Sequence, residues 1–120
     1  KYIDECNQLI NEQQNKIEKK EFEVAKQYYT IYDYRAAIKS SDNFIGEFVG
    51  SKFREEALYF KFLASYEIAI NSIELKKFQR LTDLIQLHNN IIRYYPETLF
   101  EEDLSNKMVI VEKEINTFTN

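Results

Sequence analysis

Helix breakers are scarce: only two glycines, Gly46 and Gly50, and one proline, Pro96, occur in 120 residues. That share is far below what an all-β chain with many tight turns needs, so a sandwich or barrel is excluded. Neither glycine belongs to a phosphate-cradling loop, and no cofactor is expected. A single cysteine, Cys6, rules out an internal disulfide, and with one histidine, His88, there is no Cys/His metal cluster to build. Cys6 has no small and apolar motif before it to make it a lipidation site, and is expected to be a small buried helix residue. Cationic excess is missing too, since 16 Lys+Arg stand against 20 Asp+Glu and the net charge is -4. Such a balance leaves no electrostatic footprint for a phosphate backbone, so nucleic acid is not expected as a partner. No apolar run of membrane-spanning length occurs, and the start, "KYIDECNQLI", lacks the basic, apolar and small-residue regions of a signal peptide. It opens directly in helical-looking sequence without a cap, which reads as a piece of a longer chain.

What is present is helical periodicity over most of the length. Residues 1–32 contain no breaker, and Ile3, Cys6, Ile10, Ile17, Val24 and Tyr28 fall mostly at helical spacings, predicting one long helix over about 2–31. Asp33 stands where an N-cap acceptor belongs, ahead of Tyr34, Ala37, Ile38, Phe44, Ile45 and Phe48 on one helical face. Gly50 reads as a stop and Ser51 as a cap, so a third helix should run from near Lys52 to about Ser72. "IELKK" is expected as a turn. A fourth helix follows along Phe78, Leu81, Leu84, Ile85, Leu87, Ile91 and Ile92 until Pro96 ends it. Thr98 and Glu101 have capping-box spacing and open a fifth helix, about 99–117, along Leu104, Met108, Val111 and Ile115. The expected organisation is a single all-α domain of two helix pairs, about 2–48 and 52–95, and a closing helix.

Internal repetition supports this. "FVGSKFREEAL" (48–58) and "YPETLFEEDLS" (95–105) share an aromatic, a Ser or Thr three positions on, an aromatic two later, and then acids, at an offset of 47. "KYIDEC" at the start matches "KFREEA" in the same register. Successive helix pairs stacked in sequence are the signature of a helical repeat array.

"AKQYYTIYDYRAAI", residues 25–38, resembles the central part of a tetratricopeptide repeat: Ala25 at the small position, Tyr28 and Tyr29 as the aromatic pair, and Tyr34, Ala37 and Ile38 as knobs of the second helix. It departs from that pattern at Tyr32, where the repeat has a turn glycine, and at Val49, where a closing proline is common. The second unit keeps Pro96, carries about ten extra residues between its helices, and has Phe62 at the small position. Over nearly its whole length the chain is similar to the C-terminal half of the BamD family of outer-membrane assembly lipoproteins. "KIEKKEFEVAKQYY" is the most diagnostic stretch, with "SKFREEALYFKFLASYEIAINS" and "YYPET" in support. That resemblance implies a non-enzymatic periplasmic scaffold anchored through an upstream lipid. Its implied partner is the periplasmic part of the barrel-forming BamA subunit, in support of β-barrel insertion. A generic tetratricopeptide adaptor is the alternative.

Catalytic candidates are few. Glu55 and Glu56, like Glu101, Glu102 and Asp103, fall in a first helical turn, where negative charge is favoured at roughly 0.3–1 kcal/mol each, and they read as solvated helix starts. His88 shares a helical face with Leu84, Ile85, Ile91 and Ile92 and reads as a packed or boundary histidine. Nine Tyr and nine Phe supply core knobs, but those near helix ends are candidate contact residues, since interfaces favour aromatic anchors. Tyr59, Tyr94, Tyr95 and Phe100 are chosen on that ground, and Tyr32 and Arg35 because turn tips of repeat arrays are exposed.

Overall fold

The structure, a computed structural model, describes residues 2–119 and is an array of five helices without strands among them. The helices are α1 (Tyr2–Thr30), α2 (Tyr34–Glu47), α3 (Arg54–Ile70), α4 (Glu74–Tyr94) and α5 (Glu101–Thr119). Helices α1 and α2 form one hairpin and α3 and α4 a second, α2 and α1 lie against α3, and α5 packs on α4. The all-α hairpin array with a long first helix is therefore what the sequence periodicity required.

Local signals explain most of the boundaries. Helix α1 ends in a Schellman motif: the amide of Asp33 donates to the Tyr28 carbonyl (2.9 Å) and that of Tyr32 to the Tyr29 carbonyl (3.0 Å). This closure needs a left-handed residue, and Tyr32 supplies it at φ 67°, the position where the repeat pattern calls for glycine. Asp33 then caps α2, its carboxylate accepting from the Ala36 amide at 3.2 Å. At the far end of α4, Tyr95 (φ -133°, ψ 72°) has left the helical region, which a following proline disfavours.

The offset of 47 residues is visible as a duplicated turn. Ser51 Oγ accepts from the Phe53 amide (3.1 Å) and Thr98 Oγ from the Phe100 amide (3.3 Å). Around them the Ser51 amide donates to Phe48 and the Thr98 amide to Tyr95, then Arg54 to Ser51 and Glu101 to Thr98. The recurring aromatic, hydroxyl, aromatic pattern thus encodes a tight turn two residues before the helix. Three expectations are corrected by it. Ser51 is not the N-cap, because α3 starts at Arg54 behind Phe53, which makes no side-chain cap bond. Glu101 does not reach back to Thr98 but accepts from the Ser105 hydroxyl at 3.1 Å, so no capping box forms. Gly50 is no left-handed stop either, since neither glycine has a positive φ.

The link between α3 and α4 is shorter than expected. "IELKK" is not a turn: α4 already begins at Glu74, so residues 71–73 alone connect the pair and the extra length is spent on longer helices. Asn71 Nδ2 and Ser72 Oγ satisfy the terminal carbonyls of Glu67 and Ile68 (2.8 and 2.5 Å), which lets the helix stop abruptly.

Two apolar clusters hold the array. Phe22, Phe44, Phe48 and Ala57 join the first pair to the start of α3. The larger cluster runs through α3, α4 and α5, with Phe62, Leu81, Leu84, Ile91, Leu104 and Val111 all 1% exposed or less. Phe62 fits the second pair beside Tyr66 and His88, with ring centroids at 6.4 and 6.2 Å, so a large residue at the small position is absorbed rather than splaying the helices. Ion pairs cross the same seams, Lys61 to Asp42 at 2.7 Å and Lys77 to Glu114 at 2.8 Å. The first part of α1 has no such cover. Tyr2, Ile3, Leu9, Ile10 and Ile17 are 49–79% exposed and Cys6 is only half-buried, against the expectation of a buried cysteine. This projection gives the described chain extents of 68 × 28 × 19 Å and a radius of gyration of 17.1 Å, against about 14 Å for a compact chain of the same length.

Candidate functional site

The duplicated turns put four of the six candidate residues on one corner, where the start of α3 meets the α4–α5 link. Tyr59 stacks on Phe100 with centroids 4.0 Å apart and planes within 7°, which fixes the second turn against α3. The Tyr59 hydroxyl donates to Asp103 at 2.5 Å. Burial first, and then that bond, push the Tyr59 hydroxyl far above its ordinary pKa, so it stays a neutral donor. Burial raises the Asp103 carboxyl, but the bonds from Tyr59 and Lys107 outweigh it and hold the group below its ordinary value. Tyr59 and Phe100 are thus half-buried parts of the frame rather than free anchors.

Tyr94 and Tyr95 lie beside them in a different state. Tyr94 is 61% exposed, and the Arg54 guanidinium sits 5.3 Å from its ring centre, within cation–π range. Tyr95 is half-buried and its hydroxyl accepts from Arg54 at 3.5 Å. With Glu55, Pro96 and Glu97 these tyrosines line an open groove of about 380 Å³. The Arg54 Nε is buried without a hydrogen-bond partner.

Tyr32 and Arg35 are not part of this corner; both are exposed at the α1–α2 end, Tyr32 at 78%. A ladder of rings joins the two ends. From Phe100 it passes to Tyr59, then Phe60 (5.8 Å), Tyr29 (5.5 Å), Tyr34 (5.8 Å) and Tyr32 (6.3 Å). Every step lies in the range where tilted or edge-on rings attract. One aromatic seam therefore terminates in exposed tyrosine at one end and in the Tyr94–Tyr95 corner's stacked pair at the other.

Sequence reasoning missed the function of Glu55. Read as a solvated helix-start charge, it is half-buried and accepts from the Thr98 hydroxyl (2.6 Å) and the Leu99 amide (3.1 Å), tying the second turn to α3. No local signal announces this, because the partner lies more than forty positions away. His88 is half-buried against Phe62, and burial lowers its pKa despite nearby acids that raise it, which agrees with a boundary histidine. Among the described residues no group of His, Cys, Asp or Glu is placed to hold a metal ion. Neither is any helix among them long and apolar enough to cross a membrane.

What the geometry offers is surface, rigidly held by rings and capped turns, with aromatic and cationic groups at its exposed ends. No curated protein matches the chain in sequence. Residues 6–117 match the model of the YfiO family, described as outer membrane lipoprotein, and the chain belongs to that family.

Proposed function

We propose that this chain is the C-terminal half of a BamD-like lipoprotein and that it works as a scaffold, without catalysis, at the periplasmic face of the outer membrane. In this reading its hairpins form a single tetratricopeptide-like domain. The domain docks the periplasmic part of the barrel-forming BamA subunit and so supports β-barrel insertion. The observation that carries it is the family match over residues 6–117. The exposed Tyr94 beside Arg54, and Tyr32 at the other end of the aromatic seam, supply anchors of the kind that dominate interfaces. In this reading the membrane is reached through a lipid anchor, as the family's description implies.

The test is capture of the purified periplasmic region of that subunit by the chain and by its Tyr32→Ala/Tyr94→Ala/Tyr95→Ala variant. Loss of capture at unchanged helical circular dichroism supports the assignment, and full retention sinks it.

A further inference from the structure

A second groove, of about 400 Å³, opens between α2, α3 and α4. On α3 it uses Lys61, Ser65 and Ile68, which at 3.6 residues per turn lie about 180–240° around the axis from Tyr59. The groove and the Tyr59 end of the aromatic seam are thus on opposite sides of that helix. Its apolar lining is Ile38, Ile68, Leu84 and Leu87.

The charges of this groove run against those of the chain. Arg35, Lys61 and Arg80 line it with one carboxylate, Asp83, a local balance of +2 in a protein of net charge -4. Lys61 is held by Asp42 at 2.7 Å, and Asp83 accepts from Gln79 at 2.9 Å. Arg80 donates to the neutral Ser72 hydroxyl at 2.6 Å, and neither Arg80 nor the exposed Arg35 forms an ion pair among the described residues. Two guanidiniums of the lining therefore have no carboxylate within ion-pair distance, and the fork of each matches a carboxylate. Apolar side chains beside cationic ones suit an extended chain that sends one side chain inward and the next outward.

We propose that this groove binds an extended acidic segment of a partner protein, with its carboxylates on Arg35 and Arg80 and its apolar side chains over Ile38, Ile68, Leu84 and Leu87. The site is separate from the Tyr94–Tyr95 corner and does not depend on which subunit docks there.

The probe is a fluorescein-labelled peptide of about ten residues alternating Glu and Leu, read by anisotropy against a matched Lys and Leu peptide. The acidic peptide is expected to bind and to weaken as salt rises, and the basic one not to bind. Arg35→Glu/Arg80→Glu should weaken the acidic peptide by roughly tenfold or more and reverse the preference between the two. Arg35→Gln/Arg80→Gln, checked for unchanged helicity, should lose affinity for the acidic peptide without gaining the basic one. The Tyr94→Ala/Tyr95→Ala variant should keep wild-type peptide affinity, so failure of the subunit contact leaves this result standing. Equal binding of both peptides, binding of neither, or unchanged affinity in the double charge reversal overturns the proposal. So does binding of anionic phospholipid vesicles, abolished by the same reversal, in place of the peptide.

Discussion

Removal of the Glu55 carboxylate tests whether the second turn is held by a contact from another helix. Thr98 is only 6% exposed; its hydroxyl donates to Glu55 at 2.6 Å and accepts from the Phe100 amide. In Glu55→Ala that donor is left buried without an acceptor, and a hydrogen bond to a charged group carries about 1.5–3 kcal/mol. The Leu99 amide, bonded at 3.1 Å, is on an exposed residue where water replaces the carboxylate, so it adds about 0.5 kcal/mol at most. The expected loss is about 2.5 kcal/mol, or about 1.2 M in the urea midpoint at a slope of about 2 kcal/mol/M. Because a cavity or a frayed end would also destabilise, the decisive measurement is the double-mutant cycle with Thr98→Val. A coupling energy of about 1–2 kcal/mol is expected between the two sites. If the two losses add to within about 0.3 kcal/mol, the carboxylate does not hold the turn and the reasoning fails.

Three further outcomes follow from the same geometry. Phe62→Ala should cost about 3–5 kcal/mol in chemical denaturation, since the ring is fully buried between α3 and α4; a loss under about 1 kcal/mol would mean that the helices close over the gap. His88 has its pKa lowered by burial from an ordinary 6.5, so the unfolded chain binds the extra proton. Stability should therefore fall as pH drops from 6.5 toward the lower folded value, and His88→Gln should flatten that segment of the curve. Asp103 is shifted the same way from 3.8, so its contribution is present above that value and is lost as pH falls through the lower folded one. Tyr59→Phe, which removes one of the two bonds holding Asp103 down, should shrink that acid-side loss, and an unchanged acid limb would contradict the assignment.

How much of this was legible in the sequence depended on whether the signal was local. The Asp33 cap and the end of helical backbone before Pro96 are governed by neighbours in the chain, and each is found in the structure, while Tyr32 takes the left-handed turn in place of the glycine that the repeat pattern has there. Spacing alone failed at the helix starts. Ser51 and Thr98 sit two positions early for a cap, and only the three-dimensional turn shows that each hydroxyl bonds two residues ahead. Lys76 and Lys77 looked like a polar turn because a solvated helix start carries the same residues, and the carbonyl of Ile73 receives both of their amides. Of the candidate contact residues, the sequence placed Tyr59 and Phe100 near helix ends but could not tell that they stack on each other. It missed Glu55 and the Arg80 rim because their surroundings are assembled from helices far apart in the chain.

The aromatic seam also makes the protein its own optical probe. Nine tyrosines and no tryptophan leave tyrosine as the dominant emitter, so nothing brighter masks a change at a single ring. Tyr29, Tyr34 and Tyr32, in contact at 5.8 and 6.3 Å, exchange excitation directly, and the Tyr59 hydroxyl, bonded to a carboxylate, is a natural quenching point. A partner that covers Tyr32 perturbs light emitted well away from the contact. The same unlabelled sample thus reports engagement of the aromatic seam.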